Sequence, residues 1–195
     1  SSVGRAYAGN PKYIYEELVK QGLDRLYVCV WVLNDVGVSI PGNCIKVKRL
    51  RLRHLIYAAT AKVWIMDSRQ TDEFVKRKGT IFIQTWHGIP LKRLALDMKV
   101  MNIGGDTNLS RYKTVFHKHT RTWDYLISQN SYSTEKFKSA FSFQRDIWEL
   151  GYPRNDILVN CNEEKYIQQL KEKLGLPQDR KIILYAPTWR DDEYY

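Results

Sequence analysis

Cysteine is scarce in this chain, and what there is carries no pattern. Cys29, Cys44 and Cys161 are odd in number and widely spaced in sequence. They suggest neither a disulfide framework nor a metal motif, and a reducing cytoplasmic setting is expected. Long apolar runs are missing too. The longest is Leu26-Tyr-Val-Cys-Val-Trp-Val-Leu33, far short of the ~20 residues a membrane-spanning helix needs. No charged leader followed by an apolar stretch opens the chain, so no signal peptide is expected. Gly-x-Gly-x-x-Gly, Walker, Cys-x-x-Cys and Gly-x-Ser-x-Gly patterns are absent. Their absence argues against nicotinamide enzymes, P-loop ATPases, zinc ribbons and α/β-hydrolases.

What is present is a foldable, basic, aromatic-rich chain. Its 195 residues are 44% hydrophobic, which fits a globular protein with one good core, or one domain and part of another. There are 13 Tyr and 6 Trp, and the net charge is +10. Such a charge attracts polyanions: nucleic acid, anionic lipid or phosphate-rich substrates. Residues 46–53 carry Lys46, Lys48, Arg49, Arg51 and Arg53 without an acid. Residues 86–123 hold three of the four histidines and more cations, against Asp97 and Asp106. Either tract reads as a solvated basic face or as a polyanion contact.

Apolar periodicity supplies the order of elements. Asn10-Pro11 reads as an N-cap and first helical position, with Ile14, Leu18 and Val19 at helical spacing and Gly22 as the stop. Strands are expected over 26–33, 63–66, 80–86, 124–128, 146–150 and 181–185. Helices are expected over 51–61, 71–78, 108–123, 133–141 and 163–174. This alternation implies a parallel sheet covered by helices, a Rossmann-like α/β domain. Gly151-Tyr-Pro-Arg-Asn-Asp156 is the best boundary. It divides a domain over 1–150 from 151–195, where a second domain is only begun.

Ligands of open parallel sheets collect beyond the carboxyl ends of strands. His87, in Gln84-Thr-Trp-His-Gly-Ile-Pro-Leu-Lys92, falls just after such an end. Gly88 lets a substrate or another loop approach the backbone, Pro90 stiffens the loop, and Lys92 can face a phosphate. A neutral imidazole there can accept a hydroxyl proton at pH 7, although a packed or helix-capping histidine is the plainer alternative. In Tyr185-Ala-Pro-Thr-Trp-Arg190, Thr188 and Arg190 suit diphosphate oxygens; a loop with a structural arginine is the alternative. Asp191, Asp192 and Glu193 read better as a solvated end than as a metal site. His117 and His119 are two apart on a helix and cannot share a face.

Five segments together resemble the CDP-glycerol:poly(glycerophosphate) glycerophosphotransferase family. They are Gly4–Leu18 with Asn10-Pro-Lys-Tyr-Ile-Tyr-Glu-Glu17; Gln84–Lys92 with Asp97; Trp123–Ser128 with Ser133-Thr-Glu135; Gly151–Asp156; and Ile183–Asp191. The resemblance implies a two-domain GT-B architecture, with the acceptor in the first domain and the nucleotide donor in the second. It implies that a hydroxyl on a lipid-linked polyol-phosphate acceptor attacks the β-phosphate of CDP-glycerol and releases CMP. His87 becomes the expected general base, with Asp97 either orienting it or fixing the loop. Gly88, Pro90, Lys92, Arg154, Asn155, Thr188 and Arg190 become the expected substrate-binding residues. No cofactor or metal is implied.

Two features depart from the family pattern. Ile89 stands where Thr usually follows His-Gly. Later donor-binding blocks, with a second histidine, do not occur, so the chain is expected to be part of a longer enzyme. The basic segment 99–121 is expected to meet the acceptor or the anionic inner leaflet, giving a peripheral membrane protein. CDP-ribitol or a sugar nucleotide is the alternative donor. A non-catalytic polyanion-binding module is the alternative of another kind. Nucleic acid is not expected, because the tryptophans fall in the named blocks rather than among surface cations.

Overall fold

The computed structural model describes residues 2–72, 74–101 and 107–186. In chain order the elements are α1 (Gly9–Lys20), β1 (Cys29–Leu33), β2 (Cys44–Lys48), α2 (Leu52–Thr60), β3 (Val63–Met66), β4 (Ile81–Gln84), α3 (Leu109–Thr120), β5 (Tyr125–Ser128), α4 (Ser131–Ala140), β6 (Ile147–Glu149), α5 (Asp156–Asn160) and α6 (Glu164–Lys173). Short 3₁₀ turns at Ala95–Asp97 and Pro153–Asn155 matter below. The fold is mixed α/β with parallel sheets, as the alternation implies.

A four-stranded sheet runs β3-β4-β5-β6 in sequence order, and every neighbouring pair is parallel. All four strands therefore end at one edge, and the four loops that follow them meet there. Phe82, Leu126, Trp123, Phe116, Phe137 and Phe141 bury the centre of this layer against α3 and α4. A fully buried phenylalanine contributes roughly 2–3 kcal/mol, far more than local propensities do.

β1 and β2 form a separate two-stranded parallel sheet. α1 covers it through Tyr15, whose ring meets Trp31 and Tyr7 edge-on. Tyr15 Oη donates to Pro41 O at 2.9 Å.

Several expectations are corrected. The basic tract 46–53 is partly a strand: Val47 is buried in β2 while Lys46 and Lys48 alternate outward. Cys29 and Cys44, distant in sequence, are register partners with free thiols. The first strand begins at Cys29, because Leu26–Val28 stand exposed and the amides of Leu26 and Tyr27 turn back to Leu23 O. The described residues of 71–78 form no helix; Lys76 and Arg77 are drawn instead to Asp124 and to Thr60 O.

Residues 181–185 form no strand, and Ile183, Leu184 and Tyr185 are exposed, for no neighbouring strand faces them among the described residues. Asn10 is not a cap. α1 starts at Gly9 with Ala8 as N-cap, and Asn10 is buried in its first turn. Pro11 fits that turn because the first amides have no helical acceptor.

Candidate active site

β4 ends at Gln84, and the chain then turns sharply. Gln84 is fully buried and its side chain is used at both ends. Its amide donates to Ser68 O at 3.2 Å, and its carbonyl accepts from Trp86 N at 3.0 Å. Trp86 adopts φ +51°, a left-handed conformation costly for a bulky residue. Its ring plugs into the aromatic core beside Phe116, Trp123, Phe137 and Phe141. The turn leaves the next side chain at the surface, over the outer face of that ring. His87 stands exposed, stacked on the Trp86 ring at 4.5 Å between centroids.

Four neighbours fix this loop. Asn10, 1% exposed, donates through Nδ2 to the carbonyls of Thr85 (3.2 Å) and Trp86 (3.0 Å). Its Oδ1 accepts from Arg154 N at 3.3 Å. Tyr152 Oη donates to Gly88 O at 2.9 Å, and Tyr132 Oη donates to Pro90 O at 3.3 Å. The fourth neighbour is Asp67, at the end of β3, whose carbonyl lies 2.6 Å from His87 Nδ1.

A carbonyl oxygen can only accept, so Nδ1 carries the proton in that bond. The neutral ring then keeps a free lone pair on Nε2. A backbone acceptor of this kind fixes both tautomer and ring orientation. A side chain added at Gly88 would meet nothing within 4 Å, so there is open space on the backbone beside the imidazole.

The other anticipated residues are placed as follows. Asp97 lies in the turn Ala95–Asp97 and accepts from Ser139 Oγ of α4 at 2.7 Å. The histidine is thus oriented by Asp67 O, while Asp97 ties the loop to α4. Pro90 is buried, and Lys92 is exposed with no ion pair to a described carboxylate. Arg154 reaches the site through its backbone amide and lays its guanidinium 5.4 Å from the Tyr152 ring centre. Asn155 is exposed, and its amide donates to Tyr152 O at 2.8 Å. Thr188, Arg190, Asp191, Asp192 and Glu193 lie outside the described residues.

Sequence reasoning missed Asn10 as a clamp, Asp67 as the orienting group, and Tyr132 and Tyr152 as loop anchors. Burial pushes the Tyr152 phenol up to about 12, Arg154 and the bond to Gly88 partly opposing it. It therefore stays a donor at neutral pH. Among the described residues no group of His, Cys, Asp and Glu could hold a metal, and no helix is long and apolar enough to cross a membrane.

The chain matches known proteins over its whole length. The family model for CDP-Glycerol:Poly(glycerophosphate) glycerophosphotransferase matches residues 1–195. A teichoic acid poly(glycerol phosphate) polymerase of Staphylococcus epidermidis is 45% identical over 98% of this chain and 26% of its own length. One of Bacillus subtilis is 44% identical, again over 98% and 26%. The solved structure of the wall teichoic acid polymerase TagF superposes with a TM-score of 0.89 at 45% identity, covering 97% of this chain and 46% of that one. The chain thus spans about a quarter of these relatives and about half of the solved one.

Proposed function

The chain belongs to the CDP-glycerol:poly(glycerophosphate) glycerophosphotransferase family, and from that premise we propose that it carries the acceptor half of a glycerophosphate transfer site. The substrates are CDP-glycerol and a lipid-linked polyol-phosphate acceptor. The relatives at 44–45% identity are named for glycerol phosphate, which favours that donor over ribitol or a sugar.

His87 is the general base. Its Nε2 takes the proton of the attacking hydroxyl as that oxygen bonds the β-phosphorus, the bond to the bridging oxygen breaks, and CMP leaves. The observation that carries this reading is the Nδ1 contact with Asp67 O, which leaves Nε2 able to accept at an exposed edge. Lys92, Arg190 and Thr188 would offset charge on the diphosphate. Residues 151–195 belong to the donor-binding half of a GT-B pair. The last buried residue described is Tyr152, and every described residue after it is exposed or half-exposed.

In the full-length enzyme, His87→Ala should leave the fold intact and lower kcat by roughly a hundred- to ten-thousand-fold, the range of a positioned base. CMP release at the wild-type rate would remove His87 from the mechanism.

The same reading includes a peripheral seat on an anionic membrane. Its best support is the surface over 46–56. There Lys46, Lys48, Arg51 and Arg53 are exposed together with Leu50, Leu52, Leu55 and Ile56. Cations rimming exposed aliphatic side chains suit anionic headgroups over an acyl boundary. The tract 99–121 suits it less, because Lys118 and His119 are already engaged by Asp72.

A further inference from the structure

The loop after β3 carries a cation on the same aromatic platform as His87. Arg69 follows Asp67 by two residues, and it is half-buried. Its guanidinium carbon lies 4.6 Å from the Phe116 ring centre and 5.4 Å from that of Tyr112. Phe116 meets Trp86 at 6.5 Å, and His87 stacks on Trp86. Two loops leaving neighbouring strands in the same direction thus place an imidazole and a guanidinium on one continuous set of rings.

Among the described residues the charge of Arg69 is not spent on a carboxylate. Lys76 and Arg145 are taken by Asp124, Lys118 by Asp72 and Lys12 by Glu16. Arg69 has no carboxylate partner among the described residues. Stacking fixes the plane of a guanidinium while leaving its edge donors unused. A planar fork held in this way is pre-organised for the paired oxygens of a phosphate.

We infer that Arg69 binds a phosphate group of the substrate at the His87 site, its guanidinium edge taking two phosphate oxygens. The inference rests on the transfer reading above and adds a residue to it. Two sources offer the same chemistry: a phosphodiester of the acceptor chain near the attacking hydroxyl, and the diphosphate of CDP-glycerol.

The test is steady-state kinetics of the full-length enzyme with each substrate varied in turn, for wild type, Arg69→Gln and Arg69→Lys. Arg69→Gln should raise one KM by roughly ten- to a hundred-fold, the worth of a charge-assisted bidentate contact. Arg69→Lys should recover part of that loss. A rise confined to the acceptor assigns the phosphodiester; a rise confined to CDP-glycerol assigns the diphosphate.

Either KM effect supports the inference. Unchanged KM values for both substrates overturn it, as does a fall in kcat alone, which stacking of a merely structural arginine would produce. Wild-type CMP release in the same experiment keeps the two questions apart. An active wild type with an indifferent Arg69→Gln refutes only Arg69. An inactive wild type refutes the transfer reading itself.

Discussion

Replacing Asn10 by alanine removes three hydrogen bonds from a site that is 1% exposed. Two of them, at 3.2 and 3.0 Å, hold the carbonyls of Thr85 and Trp86; the third, at 3.3 Å, accepts the amide of Arg154. A net hydrogen bond is worth about 1 kcal/mol, and a buried group left unpaired costs about 1–3 kcal/mol. Trp86 O keeps a second donor in Thr85 Oγ1, so it is not stranded. Thr85 O and Arg154 N have no other hydrogen-bond partner among the described residues and are left unpaired. The expected loss is therefore about 2–4 kcal/mol. For a domain of this size that lowers the melting midpoint by roughly 5–15 °C.

The same change should lower activity. Trp86 holds φ +51° against its own preference, and removing a restraint on its carbonyl lets the turn relax and the imidazole drift. A displacement of about 1 Å is enough to cost about a hundred-fold in rate. Calorimetry of the full-length protein gives the first quantity, and CMP release with both KM values gives the second. Asn10→Asp should be worse than alanine, since a carboxylate would face two carbonyl oxygens. An alanine variant that melts within a degree or two of wild type, with kcat intact, would refute the clamp.

Two further outcomes follow from the same geometry. Burial, helped by Arg49, pushes His54 below its ordinary value, and its Nδ1 accepts from Leu50 N. A folded value below the unfolded one, about 6.5, means that stability is present above that pH and lost as pH falls through the folded value. His54→Leu should flatten that decline when denaturant melts are compared from pH 7 to 5; an unchanged slope would exclude His54. On the surface, replacing Lys46, Lys48 and Arg51 by glutamine should weaken sedimentation with phosphatidylglycerol vesicles by roughly a hundred-fold, at ~1 kcal/mol per cation. Equal retention by the variant would remove the 46–56 surface from membrane binding.

How much of this was legible in the sequence depends on how each element is stabilised. β3, β4 and β5 are short, mostly apolar runs, so composition alone announces them. β2 was hidden because Lys46 and Lys48 interleave with Ile45 and Val47; the cations drew attention away from a period of two. Residues 181–185 have strand composition but no strand, because a strand is a relation to a neighbour. The described residues of 71–78 form no helix, and there Lys76 and Arg77 reach Asp124 and Thr60 O.

The site divides along the same line. A histidine after a strand end is visible in sequence, since the strand and the residue are both written there. What orients it is not. The acceptor for Nδ1 is a backbone carbonyl, which every residue offers equally, and the clamp is a side chain 75 residues upstream of Thr85. For Asp97 the sequence left two roles open, orienting the histidine or fixing the loop, and its bond from Ser139 favours the second.

Asn10 and Tyr152 carry a consequence for the whole enzyme. Both join the histidine loop to the segment Tyr152–Asn155, one by accepting Arg154 N and the other by donating to Gly88 O. Any motion of Tyr152–Asn155 must therefore either carry the loop with it or break bonds that hold His87 in place. On the proposed reading, the segment that leads toward the donor half is thus bonded directly to the loop that carries the base.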